Sequence, residues 1–262
     1  MNQLTLHHIV TALGGGQPVT GFFLVLARIG PLFVVAPLFS SKMIPGPIRG
    51  VVAAGFAIGL TGIAMHGQHI PGQPLPVAAL VVENMLVGLL LAFTVAGLFA
   101  AIQTAGGLAD IVSGFSFGAT VDPINGNQGG TFSELYGLLG VMLFVAIGGD
   151  AWLLRGLART FTLVPLSQGP QLGSLANAAE ASVSSMFVSA IEVAAPAILA
   201  LLITDVAFGL VSRVVPQLNV FSVAFPLKVG VSLLVVMASL PFLGGWMSDQ
   251  MYTSVATALH AL

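Results

Sequence analysis

The segment Pro76 to Ala105 strings Val, Ala, Leu, Phe and Gly together with a single ionisable side chain, Glu83, and nothing else in the chain limits its fold as strongly. A bilayer core is crossed by about 20 apolar residues rising about 1.5 Å each, so this run can span it with residues left over. Five more runs approach or reach that length: Gly21 to Phe39, Ile48 to Met65, Leu135 to Leu154, Val183 to Val211 and Val229 to Met247. The period-two alternation of a closed barrel is absent from all of them, which leaves helices as the lipid-compatible structure. The expected fold is all-α, a polytopic helical membrane protein with no soluble domain.

Composition agrees with that reading. Hydrophobic residues make up 56% of the chain and charged ones 6%, against about a quarter charged in soluble domains. Seven Lys+Arg and nine Asp+Glu cannot cover 262 residues with a solvated shell, so the missing surface is lipid or other protein. A formal charge of -2 with no basic face excludes nucleic acid as a partner. With no cysteine, the chain has no disulfide framework, thiolate metal site or Cys nucleophile.

Between the apolar runs lie Pro/Gly-rich or polar punctuators, the longest of the glycine-rich ones being "GFSFGATVDPINGNQGGT" from Gly114. It carries Phe115 and Phe117, which a solvated linker does not need. Inside the Pro76 to Ala105 run, Gly88, Ala92, Ala96 and Ala100 recur every four residues, a stripe that lets another backbone approach closely.

Among the charged residues inside apolar runs, Arg28, Glu83, Glu192 and Asp205 are the sharper signal. Each costs at least about 2.5 kcal/mol at a bilayer centre, so each is expected to face protein or water. Two readings stay open, an ion or proton pathway and structural pairing between helices. Glu192 and Asp205 fall about 220° apart on an ideal helix and do not form a site by themselves. Pro31, Pro37, Pro196, Pro226 and Pro241 lie in or beside the runs, where each is expected to kink or break its helix. Broken helices are also a transporter feature, which keeps that class open. "AIGGDAW" lacks the first glycine of the Gly-x-Gly-Asp of intramembrane aspartyl proteases, its place being taken by Ile147, so Asp150 receives no role. No Gly-x-Ser-x-Gly, His-Glu-x-x-His or phosphate-binding loop is present.

Three blocks in order carry a family likeness: "FLVLARIGPLFVVAPLFSSKMIPGPIRG" from Phe23, the Gly114 to Leu166 block opening "GFSFGATVDP", and "GLVSRVVPQLNVFSVAFPLKVGVSLLVV" from Gly209. Together they resemble the FliR/SctT family of type III export-gate subunits across nearly the whole chain. The family-matching N-terminal positions are Arg28, Pro37, Pro45 and Arg49. The resemblance implies a non-enzymatic component without cofactor or metal, built from a FliP-like region, 1–180, and a FliQ-like helical hairpin, 181–262. It implies a lumen plug in the loop 106–131, at Gly114, Phe115, Ser116, Phe117 and Gly118, with a structural turn at Asp122 and Pro123. Arg213, Pro216, Gln217, Asn219, Phe221 and Lys228 then lie at a subunit interface near the gate entrance. The partners implied are FliP-like and FliQ-like subunits in a hetero-oligomer, FlhB-like and FlhA-like proteins, and unfolded polypeptides in transit. The place implied is the flagellar basal body in the bacterial inner membrane, with the injectisome as the alternative.

Overall fold

A computed structural model of the protein describes residues 17–36, 45–116, 130–215, 217 and 219–262, without the side chains of Val220 and Phe221. Among the described residues the regular structure is helical: α1 (Gln17–Val35), α2 (Gly46–Ala64), α3 (Pro74–Ser113), α4 (Thr131–Ala146), α5 (Gly149–Leu163), α6 (Leu172–Val214) and α7 (Val220–His260). Helices α1, α2, α3, α6 and α7 are long and apolar enough to cross a membrane, as a polytopic all-α membrane protein requires.

The run Leu135 to Leu154, expected as one span, is instead two helices bent by 69° at a short break. The cause is local. Gly148 adopts φ +69°, a left-handed conformation open to glycine, and its amide closes the last turn of α4 onto the Val145 carbonyl at 3.1 Å. The prolines behave in the opposite way: Pro31, Pro196, Pro226 and Pro241 all lie inside helices that continue past them. Without water competing for the freed carbonyl, neighbouring helices and small backbone adjustments absorb the missing hydrogen bond.

The chain divides into two compact units whose boundaries fall within or beside helices. The first comprises the described residues of Met1–Ala96 with Asp150–Ser182 and Tyr252–Leu262. Its centre is apolar and closely packed, with Leu24, Val25, Ile29, Val87, Leu153 and Leu166 all at 1% exposure or less. Gly88 of the small-residue stripe touches α1 directly, since a Cβ there would stand 1.8 Å from the Arg28 carbonyl oxygen.

The second unit comprises Gly97–Gly149 and Val183–Met251. Phe99 and Phe144 meet with ring centroids 5.3 Å apart in its interior, where Ile102, Phe132 and Tyr136 are also buried. Within it α6 and α7 run antiparallel: Gln250 donates to Ser185 Oγ at 3.1 Å, Trp246 Nε1 to Glu192 at 3.3 Å, and Lys228 pairs with Asp205.

Candidate functional site

Arg28 occupies the middle of α1 with no exposed surface. Its Nε and Nη2 both donate to Asn84 Oδ1 on α3, at 2.9 and 2.6 Å. Nη1 donates to the carbonyls of Thr160 and Val164 at 2.9 and 2.8 Å. Those two oxygens belong to the C-terminal end of α5, where the helix dipole is negative, and the Thr160 oxygen also accepts from the Val164 amide at 3.0 Å. The Phe161 ring covers the guanidinium at 4.7 Å. Asn84 is held in turn, its Nδ2 donating to the Leu80 carbonyl at 2.7 Å and the Leu166 carbonyl at 3.2 Å. The charge predicted inside an apolar run is therefore a fixed cross-brace among α1, α3 and α5. Its counter-charge is a helix end, not a carboxylate.

A second polar centre lies at the base of the glycine-rich segment. Buried Asp110, one turn before the end of α3, accepts from the amides of Phe132 and Ser133 in the first turn of α4, both at 2.9 Å. A carboxylate at a helix N-terminus satisfies two orphan amides and meets the positive end of the dipole. Gly130 leaves the space for it, because a Cβ there would stand 1.9 Å from Asp110 Oδ2. Gly114 at φ +91° ends α3 in the left-handed conformation, its amide returning to the Asp110 carbonyl at 3.1 Å. Phe115 then packs edge-on against Phe132 at 5.4 Å and at a tilt against Phe225 of α7 at 5.5 Å. Lys228, one turn beyond Phe225, donates to the Val112 carbonyl at 3.4 Å and pairs with Asp205.

Two motifs far apart in sequence, the block at Gly114 and the "FPLK" of α7, thus meet at one place. The structure joins Gly114, Phe115 and Lys228 there. Ser116 closes the described part of the block, while Phe117, Gly118, Asp122 and Pro123 lie outside the described residues. Of the stretch 106–131, residues through Ser113 continue α3 and Thr131 starts α4. Pro37, Pro216 and the Phe221 side chain also lie outside the description. Pro45 stands immediately before α2, and Arg49 is in its first turn.

Arg213, Gln217 and Asn219 are exposed around the turn between α6 and α7. Arg213 sits in the last turn of α6, where a cation complements the dipole. Asn219 works within the chain: it precedes α7, and its Oδ1 accepts from the Ser222 amide at 3.4 Å. Glu192 and Asp205 do not converge, each pairing separately with α7 through Trp246 and Lys228. Glu192 is exposed in this chain, within the expectation that it faces protein or water. Glu83 is half-buried, its carboxyl against Gly169. The sequence reading missed Asn84 and Asp110. Asn84 is the one amide a single turn from Gly88 on the α3 stripe, whereas Asp110 falls in the stretch 106–131 expected as a loop.

Residues 19–254 match the family described as bacterial export proteins, family 1. The chain is 32% identical over 222 residues to the flagellar biosynthetic protein FliR of Bacillus subtilis strain 168, covering 82% of this chain and 84% of that one. It is 30% identical over 228 residues to the flagellar biosynthetic protein FliR of Escherichia coli K12, covering 85% of each. It is 24% identical over 234 residues to the surface presentation of antigens protein SpaR of Salmonella typhimurium, covering 88% of this chain and 84% of that one. On the match that runs from α1 almost to the end of α7, this chain belongs to the bacterial export proteins, family 1.

Proposed function

We propose that the chain is a core subunit of the flagellar type III protein export gate, forming part of the closed channel through which unfolded flagellar subunits leave the cytoplasm. The observation that carries this reading beyond the family match is a mismatch of length and cover. Helices α6 and α7, of 43 and 41 residues, are about 60 Å long at 1.5 Å per residue, twice the thickness of a bilayer core of about 30 Å. Yet large apolar side chains stay exposed along most of that length, from Val183 to Val214 on α6 and from Val223 to Tyr252 on α7. Lipid can cover half of such a hairpin. The other half calls for protein, which favours a subunit of an assembly over a free-standing transporter.

The partners this reading names are FliP-like and FliQ-like subunits packed around the chain, with FlhB-like and FlhA-like proteins at the entrance, in the bacterial inner membrane. The region 1–180 then plays the FliP-like part and 181–262 the FliQ-like hairpin. The stretch from Gly114 to Gly118 forms a plug in the lumen, steadied by the Phe115–Phe132–Phe225 rings at its base. Identities of 30% and 32% to two proteins named flagellar, against 24% to 27% for the SpaR proteins, favour the flagellar apparatus over the injectisome. Co-expression with the neighbouring genes, followed by native mass measurement, tests the proposal. A fixed hetero-oligomer containing this chain is expected. A stable homo-oligomer that transports a solute would overturn it.

A further inference from the structure

Helix α5 presents two cations one turn apart, Arg155 and Arg159, both exposed. Like charges at this spacing repel, unless an anion lies across them. Among the described residues neither guanidinium is paired with a carboxylate, although these are two of the chain's seven Lys+Arg. Aromatic rings flank them. Arg155 lies 5.8 Å over the Trp152 ring, and Trp152 meets Tyr252 edge-on at 5.8 Å, both rings being exposed. At 100° per residue Trp152, Arg155 and Arg159 share an arc of about 60°, and Thr162 follows on the side that leads to Ala158.

That side opens on a cavity of about 720 Å³ between the end of α2 and the C-terminal half of α5. His66, His69, Thr162 and Gln168 give it a polar wall, while Ile63 and Phe161 give it an apolar one. Ile63 is also 74% exposed, so the apolar wall continues onto the outer surface of a membrane-crossing helix. Cations, exposed Trp and Tyr, and a cavity that is polar at one end and apolar at the other are the chemistry of a membrane–water boundary.

We propose that the Arg155–Arg159 face and the adjoining cavity bind an anionic phospholipid. The phosphate bridges the two guanidiniums, the headgroup enters beside Thr162 and Gln168, and the acyl chains run along Ile63. Charge complementarity selects this occupant over a zwitterionic lipid, whose own ammonium already neutralises its phosphate. It is favoured over a protein subunit because that would have to bring buried carboxylates to both arginines.

The complete export assembly, reconstituted with photoactivatable phosphatidylglycerol or photoactivatable phosphatidylcholine at equal mole fraction, tests the site. Labelling is read by mass spectrometry on the peptides covering 149–171. Phosphatidylglycerol is expected to label them about fivefold more or better, and the preference is expected to vanish in the R155Q/R159Q double variant. In the unsubstituted protein, raising salt from about 0.05 to about 0.5 M should pull the ratio toward one by screening, which keeps the test independent of how the variant assembles. Equal labelling by the two lipids at low salt would overturn the proposal. So would cross-linking of α5 to a neighbouring subunit in place of lipid.

Discussion

Asn84 Oδ1 accepts two hydrogen bonds from Arg28, from Nε at 2.9 Å and from Nη2 at 2.6 Å, so that an amide stands where a buried cation ordinarily meets a carboxylate. The reason lies on the other side of Asn84, where Nδ2 donates to the carbonyls of Leu80 and Leu166. Asn84→Asp improves the ion pair on paper but turns a carboxylate oxygen toward two carbonyl oxygens that lose the Nδ2 donor, the Leu80 one keeping its helical amide. Each buried group left unsatisfied costs about 1–3 kcal/mol. Asn84→Asp is therefore expected to destabilise, and Arg28→Met more so, since it strands Asn84 Oδ1 and the Val164 carbonyl and leaves the Thr160 carbonyl only its bond from the Val164 amide. The temperature at which half the detergent-extracted protein remains soluble checks the order: wild type above Asn84→Asp above Arg28→Met.

Asp110 tests how the base of the glycine-rich segment is held. Its two oxygens take one amide each, from Phe132 and Ser133. Asp110→Asn keeps one acceptor and Asp110→Ala keeps none, so the loss should grow from the first to the second, to about 1–2 kcal/mol as for other N-caps. Hydrogen exchange at the Phe132 and Ser133 amides should accelerate in that order. Exchange that is unchanged in Asp110→Ala would mean that the cap does not hold α4.

The contrast between these two residues says what a sequence can reveal of this fold. The six apolar runs mark the helices because hydrophobic length is a local property, and the charge in the first run marks Arg28. Asp110 is hidden by the same local logic. An acid near a helix C-terminus opposes the dipole, so Gly106 and Gly107 read as the end of the helix and Asp110 as loop. Only when α4 brings its own N-terminus to the carboxylate does the placement become favourable. The break at Gly148 was hidden differently, since Ile147, Gly148 and Gly149 are apolar and prolonged the run without marking its turn. The meeting of Phe115 with Phe225 depends on tertiary packing that no spacing within either motif encodes.

Phe115 links the ring cluster to the proposed plug. Phe115→Ala removes its contacts with Phe132 and Phe225 at 5.4 and 5.5 Å, each ring pair contributing about 0.5–1.5 kcal/mol beyond area. The assembled gate should still form, because α3, α4 and α7 keep their other contacts. Its closed-state ion conductance in planar bilayers should rise, and deletion of Gly114 to Phe117 should raise it further. Unchanged conductance in the deletion would remove the plug from the mechanism.

The Asp205–Lys228 pair is half open to its surroundings, with side-chain exposures of 43% and 17%. In water such a pair contributes about 0–1 kcal/mol, and it contributes more when lipid or a neighbouring subunit replaces the water. Lys228 also donates to the Val112 carbonyl at the end of α3. Lys228→Met should thus lower the yield of assembled complex. The exchanged variant D205K/K228D should recover only part of it, because the new carboxylate faces that carbonyl. Full recovery would mean that the link to Val112 contributes nothing.

Gly106 and Gly107 are neighbours in the same helix with opposite surroundings, and they separate packing from helix propensity. A Cβ at Gly106 would stand 2.5 Å from the Phe132 carbonyl oxygen and 2.7 Å from the Ser133 Cα, whereas one at Gly107 meets nothing within 4 Å. The atoms facing Gly106 are backbone, in the very turn capped by Asp110, and cannot swing aside as a side chain would. Gly106→Ala must therefore push α4 away from α3, stretching both Asp110 hydrogen bonds, at an overpacking cost of about 1–3 kcal/mol. Gly107→Ala gains helix propensity of about 0.5–1 kcal/mol and should be neutral or stabilising. Thermal retention of the purified complex should fall in the first variant and hold or rise in the second, with faster amide exchange at Phe132 confined to Gly106→Ala. Equal loss in both would show that the pair matters as a flexible hinge and not for the close approach of the two helices.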